Sequence, residues 1–496
     1  AVPLLVGLLA VGRGSAGAQE AAAGTLWILA QSDEIEIVRA GAIPAFVGLL
    51  SSGSRTAQEI GAAALRNLAL EKGNNRWAIA EAGAIPPLVA LLSGENSAVA
   101  REKAAGALGN LAGVANNKKA IAKAGTIPLL VVLLSSGISV AMQEVAASTL
   151  WSLAVDDNNK VEIVNAGAIA MLVALLSEGS AVAQEHCAGA LSHLAVVAEH
   201  QKAIAEAGAI PQLVELLGRK SPSVQEKAAG ALWNLAINSE NQKAIAEAGA
   251  IPPLVGLLQT GSTAVAEKAA GAVRNLSISE DLKALVVEAG GIPALVWLVS
   301  SGFSSGPAKE MATAALWNLA LAIAEAGAIP PLLTLLSKGS TAAQDLAAAL
   351  LWNLSLNDEN KAEIVRAGAI PELVRLLSGG SCVAQQQAAG AFSNLAVVAD
   401  YQKAMAEEKA AGALWNLAVS SDNQRAIAEA LAIPPLVGLL GKGSPAATLA
   451  LRNLALNAEN QKALVASGGW PEAQALLDCL AGAQLGEYVM VDGVNG

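Results

Sequence analysis

The sequence predicts an all-α chain built as a solenoid of three-helix repeats, and two observations carry that prediction. An Ile-Pro pair recurs with its Ile at 43, 85, 127, 210, 251, 292, 329, 370 and 433, and Ile169 takes the same place before Ala170. Most steps between these positions are 41 or 42 residues. A second marker, Leu-x-Asn-Leu or a close variant, appears twelve times, from Leu26–Leu29 to Leu451–Leu454. Periods of this length mark stacked repeats. A single repeat cannot bury its apolar stripe alone, so neighbours must stack.

Residues 240–278 show how one repeat is written. Asn241 to Ala248 reads as a short first helix anchored by Ile245 and stopped by Gly249, since Gly suits the left-handed position after a helix end. Pro252 opens a second helix, because Pro in the first turn loses no available hydrogen bond. Leu254, Val255, Leu257 and Leu258 follow at helical spacing. Gly261 breaks this helix, and Ser262 or Thr263 can cap a third one running to about Ile278. In the preceding repeat Ser221-Pro222 reads as a clear cap followed by a first-turn Pro. With Asn234 as the origin and 100° per residue, Ala228, Ala231, Leu232 and Leu235 form a stripe roughly 60–160° away. Asn234 itself therefore points off the core.

Composition limits the function classes. The chain has 496 residues, 54% hydrophobic and 15% charged, with a net charge of −11. That excludes a disordered chain and argues against a duplex nucleic-acid binder, which would show a basic face. No apolar run approaches the ~18 residues a membrane span needs. Cys187, Cys382 and Cys479 give neither a disulfide framework nor metal spacing, so a reducing compartment, cytoplasm or nucleus, is expected. The opening 19 residues imitate a signal peptide but lack a basic start. They align instead with 250–278, as a repeat entered midway, and the chain is expected to be a fragment.

The 42-residue period, the Gly-Ala-Ile-Pro bend and the Ala-Leu-Trp-Asn-Leu-Ala third helix together resemble the armadillo repeat family. The phrasing of the repeats is most like yeast vacuolar and plant armadillo-repeat proteins. The resemblance implies one right-handed superhelical solenoid over 1–496 with about 12 third-helix copies. Its first repeat is partial, over 1–30, and its last repeat and tail, 459–496, are degenerate. Two repeats are shortened, near 318–329 and 397–416. The second lacks its Ile-Pro helix, so local distortion and fast hydrogen exchange are expected near 400–412. The resemblance also implies that the third helices line a concave groove holding an extended partner segment, whose backbone the Asn side chains bond.

The candidate site is therefore the Asn row: Asn67, Asn110, Asn234, Asn275, Asn318, Asn353, Asn394, Asn416 and Asn453. Ile28, Ser152 and His193 occupy the same position in the other repeats. A primary amide offers donor and acceptor together and could bond a peptide unit whatever its sequence. The alternative keeps the amides inside the solenoid, bonded to a neighbouring helix backbone. Asn234, Asn275, Asn318 and Asn353 are consecutive, so the middle is the expected best groove. On the groove reading, changing all four to Ala weakens binding and barely moves the unfolding midpoint.

The residue before the Asn position is Trp27, Trp151, Trp233, Trp317, Trp352 and Trp415 in six repeats, and Arg66, Arg274 and Arg452 in three. Trp there could offer apolar contact beside the groove or pack against the adjacent repeat; both stay open. Nuclear-import adaptors of the family carry Trp four residues before the Asn. This chain has small residues there, including Gly106, Gly189, Gly230, Gly271 and Gly390.

Charge around the row is mixed. Ten repeats carry an acid eight residues before the Asn position, from Glu20 to Glu408, while Lys103, Lys227, Lys268 and Lys409 lie seven before it. Acids at the starts of first helices, such as Glu199, Glu240 and Asp281, are read as compensating the helix dipole. Acids outnumber bases, which leans the partner toward some positive charge.

Other signals fail their context. His186, His193 and His200 are seven apart, about 10.5 Å along a helix, too far to share a metal. Gly12-x-Gly14-x-x-Gly17 follows a helix rather than a strand. Two glycosylation sequons, at Asn275 and Asn353, sit at helix ends of a chain expected inside the cell. No catalytic constellation rises above the repeat background. The reading is a non-enzymatic protein-interaction scaffold with no metal or cofactor. The rivals are a nuclear-import adaptor and the substrate-recognition part of a ubiquitin ligase whose catalytic domain lies outside the chain.

Overall fold

The structure is a computed structural model. It describes residues 1–9, 15–31, 34–70, 74–93, 95–135, 137–300, 304–319, 329–339, 341–395 and 445–457, with isolated positions 414, 433, 436, 437, 460, 462 and 464. Every regular element among the described residues is an α-helix, and none is long and apolar enough to cross a membrane. The distortion expected at 400–412, the shortened connection 320–328 and the tail lie outside the described residues.

The chain divides into two compact units, Ala1–Leu257 with Gly271–Ser279, and Leu258–Ala270 with Glu280–Gly496. In the first, third helices Ala16–Leu29, Arg55–Leu68, Ala98–Leu111, Val140–Leu153, Ala181–Leu194 and Pro222–Leu235 pack side by side in chain order. Each rests on the second helix of its own repeat, for example Pro222–Leu235 on Ala209–Leu217. In the second unit Gly306–Asn318, Thr341–Leu354 and Cys382–Leu395 stack in the same manner. Ala228, Ala231, Leu232 and Leu235 are all fully buried, as the helical wheel requires.

The bend before the second helix works as its sequence suggests. Gly249 stands at φ 76° and Gly208 at φ 83°, a left-handed conformation that only Gly adopts without penalty. Ser15, Ser54, Ser97, Ser139, Ser180 and Ser305 cap their third helices by accepting the N–H three residues on. Ser221 does not cap in this way: its side chain accepts no helix N–H, and its ψ of 116° lies below the 144–164° of the bonded caps. Pro222 still fixes the first turn there.

Cys187 sits in the third helix Ala181–Leu194 with no exposed surface, and burial pushes its thiol pKa up to about 12. The thiolate is the reactive form. Cys187 is therefore expected to resist a thiol reagent at pH 8 in the folded protein and to react once the chain is unfolded. Mass mapping of alkylated cysteines checks this; rapid native labelling of Cys187 would contradict it.

Candidate functional site

The Asn row falls in the last turn of each third helix. A helix leaves its last carbonyls without intrahelical partners. In Pro222–Leu235, the carbonyl of Leu232 accepts from Ala236 N, that of Asn234 from Ile237 N and that of Leu235 from Asn238 N. The Trp233 carbonyl, next to these, accepts from Asn275 Nδ2 of the following repeat at 3.0 Å. The same bond recurs along the stack. Asn110 Nδ2 donates to Arg66 O (2.9 Å), Asn234 Nδ2 to Ser192 O (2.8 Å) and Asn394 Nδ2 to Trp352 O (3.2 Å). In every case the acceptor is the residue just before the Asn position of the preceding repeat.

Four of the amides, of Asn110, Asn234, Asn275 and Asn394, therefore serve the solenoid in the way the alternative reading of the sequence held. The expectation of an unchanged unfolding midpoint is corrected by these bonds, because a helical wheel shows only which way Asn points and not which orphan carbonyl it meets. Asn275 is buried, while Asn67, Asn110, Asn234, Asn318, Asn353, Asn394 and Asn453 are half-buried. Asn353 differs: its Nδ2 donates to Ala349 O within its own helix (3.1 Å). Asn416 and Trp415 lie outside the described residues.

One half of several amides is left over. Asn275 Oδ1 accepts from Arg274 Nη1 at 3.3 Å. At Asn110 and Asn234 the bond to the preceding carbonyl uses one N–H. It fixes the side-chain rotamer and leaves the second N–H and Oδ1, the donor–acceptor pair a peptide unit requires.

The residues before the row have a structural seat. A Cβ at Gly189 would lie 2.8 Å from Trp151 Cε2, one at Gly271 2.5 Å from Trp233 Cδ2, and one at Gly390 2.7 Å from Trp352 Cε2. Each ring thus lies on the Gly four residues before the next repeat's Asn position, which is His193, Asn275 or Asn394. Arg66 lies on Gly106 likewise. Trp151 also stacks on His186, with centroids 5.7 Å apart, and Lys227 Nζ stands 5.1 Å over its ring. Trp317 and Trp352 keep more surface, at 51% and 36% exposure. Arg274 is half-buried and Arg452 exposed.

The acids eight residues before the row are joints between repeats. Ser54 Oγ donates to Glu20 (2.5 Å), Ser180 Oγ to Glu144 (2.5 Å), Ser223 Oγ to Glu185 (2.6 Å) and Ser305 Oγ to Glu267 (3.3 Å). Ser97–Glu59 and Ser381–Asp345 repeat the pair. Ser54, Ser97, Ser180, Ser305 and Ser381 thus donate backward to the preceding repeat while accepting their own helix N–H, whereas Ser223 donates from inside its helix, two residues past the unbonded cap Ser221. Lys103, Lys227 and Lys268 pair with the adjacent Glu102, Glu226 and Glu267. His200 is buried with Nδ1 3.2 Å from Leu194 O, and His186 Nδ1 is 3.2 Å from Glu144 O. No cluster suited to a metal ion occurs among the described residues.

Stacked three-helix repeats, most of them with an Asn in the last turn of the third helix, define an α-solenoid. The chain belongs to the armadillo repeat family. The family model for the Armadillo/beta-catenin-like repeat matches residues 32–70, 74–113, 115–155, 156–196, 198–237, 238–278, 279–321, 320–356 and 357–397. Among solved structures, the chain is similar to the crystal structure of an engineered protein at 33% identity and TM-score 0.70, over 79% of this chain and 98% of that one. It also matches a designed armadillo repeat protein in complex with the peptide (KR)4 at 29% identity and TM-score 0.43, over 47% of this chain and 99% of that one. No curated protein matches the chain.

Proposed function

We propose that the third-helix face of the first compact unit holds an extended segment of a partner protein by its backbone, without catalysis. The observation that carries the reading is the divided use of the amides of Asn110 and Asn234. One N–H locks each side chain to the preceding repeat, and Oδ1 and the second N–H remain for a ligand. An amide held in place loses less rotamer freedom on binding. The net charge of −11 favours a segment with some positive charge. The place of action is the cytoplasm or nucleus, where Cys187, Cys382 and Cys479 would stay reduced.

The test starts from linear peptides selected on the full chain from a random display library. Each amide contributes about 0.5–1.5 kcal/mol net. Asn110→Ala with Asn234→Ala is therefore expected to weaken a selected peptide by roughly 5- to 150-fold, at about 1.4 kcal/mol per tenfold. Affinity is measured by fluorescence anisotropy at a temperature where circular dichroism shows the variant folded. A folded variant that binds its peptide normally would end the backbone-recognition reading.

A further inference from the structure

Three residues beyond the Asn position the chain repeatedly places a large apolar side chain in solvent. Val155, Val196, Ile237 and Ile278 are 49%, 54%, 59% and 56% exposed. They come from four consecutive repeats of the first compact unit, and all are β-branched. Scattered exposed apolar residues are ordinary, but one at the same position in four successive repeats is a row. Helix packing leaves it uncovered, since the buried stripes lie on other faces. Its geometry is fixed to the Asn row. The N–H groups of Val196, Ile237 and Ile278 donate to the carbonyls of His193, Asn234 and Asn275 at 3.4, 3.3 and 3.2 Å. The row is interrupted at the repeat before Val155, where the position is Gly113 and the Arg76 guanidinium fills the place of its missing Cβ, and Leu70 takes the position one repeat earlier, 57% exposed. Arg76 is held there by Ala69 O at 2.8 Å and Leu70 O at 3.2 Å.

Carboxylates flank the row. Glu199 and Glu240 are exposed three residues beyond Val196 and Ile237, in the first turns of helices Ala198–Glu206 and Ser239–Glu247. An extended segment points successive side chains to opposite sides. Such a segment lying over the apolar row, beside the Asn row, would set every second side chain down onto the row and leave the others pointing outward, where long Lys or Arg side chains can bend to the flanking carboxylates. β-branched side chains have little χ1 freedom to lose on contact. We infer that this row receives a linear partner segment in which apolar residues alternate with Lys or Arg. The apolar residues lie on Val155, Val196, Ile237 and Ile278, and the cations lie near Glu199 and Glu240. The inference rests on the groove reading above and adds the sequence preference that backbone recognition alone lacks.

Labelled (Leu-Lys)4, (Ser-Lys)4 and (Leu-Glu)4 peptides, titrated against the full chain, test it. The wild type is expected to bind (Leu-Lys)4 at least tenfold tighter than either of the others. The variant Val155→Ser, Val196→Ser, Ile237→Ser and Ile278→Ser should bind (Leu-Lys)4 and (Ser-Lys)4 alike. If that variant does not fold, Ile237→Ser alone should still narrow the gap. Equal binding of (Leu-Lys)4 and (Ser-Lys)4 by the wild type overturns the apolar row and leaves the Asn groove standing. Binding of none of the three removes the groove reading and this inference with it. Self-association in sedimentation that vanishes in the serine variant gives the row to a second copy of the chain and overturns the proposal.

Discussion

Gly271→Ala lowers stability by about 1–3 kcal/mol more than Gly106→Ala does. Both glycines lie four residues before an Asn of the row, in the same turn of a third helix, so the ~1 kcal/mol helix-propensity gain of Ala over Gly cancels in the comparison. What differs is the group each new methyl meets. At Gly271 the methyl would stand 2.5 Å from Trp233 Cδ2 and Cε2, fused-ring atoms that move only with the whole indole. At Gly106 it would meet the Arg66 side chain, Nε at 2.7 Å, which is 34% exposed and swings away. Gly189→Ala, facing Trp151, should behave like Gly271→Ala. Urea unfolding followed by helical circular dichroism measures the differences. Adding Trp233→Ala to Gly271→Ala should relieve the clash, so the two losses should fall short of adding. Equal midpoints for Gly271→Ala and Gly106→Ala would mean that the ring does not occupy this seat.

Changing Asn110, Asn234 and Asn275 together to Ala destabilises the chain by roughly 1.5–4.5 kcal/mol, three side-chain bonds at about 0.5–1.5 each. The loss comes from the bonds these amides donate to the carbonyls of Arg66, Ser192 and Trp233 in the repeat before. The better helix propensity of Ala works against this loss, by at most ~0.7 kcal/mol per site, so the net loss falls toward the lower end where the bonds are weakest. Asn353→Ala is the internal control: its amide bonds a carbonyl of its own helix, and its removal should cost little. The same unfolding measurement reads both. A triple variant as stable as the wild type would show that the bonds contribute nothing net.

The helices were legible in the sequence because apolar spacing, Gly bends and Ser caps are local signals. Gly249 and Gly208 do what their position before Ala-Ile-Pro indicates. Ser221 shows the limit of such signals: its residue type fits a cap, but its side chain does not close the bond. The site was half legible. A wheel drawn on one helix sets Asn234 off the core and stops there. The carbonyl it meets, Ser192, is 42 residues away in sequence. Pairing successive repeats would have suggested it, since at four steps the residue before one Asn position meets the next repeat's Asn. The pairing of Trp151, Trp233 and Trp352 with Gly189, Gly271 and Gly390 was open to the same comparison. The exposed row at Val155, Val196, Ile237 and Ile278 was hidden by its composition, because an apolar residue after a helix reads as core until its exposure is known.

The Asn amide and the cap serine both reach backward, to a carbonyl and a carboxylate of the repeat before. Several of the described repeats thus end in the same socket and begin with the same plug. A duplicated segment of one period inserts between two others with its joints already matched, whatever its remaining positions hold. The gene can lengthen by copying whole periods, and a copied repeat that keeps its Asn, its cap serine and its acid is free to drift elsewhere. Val155 and Ile237, or His186 and Lys227, are the kinds of difference such drift leaves.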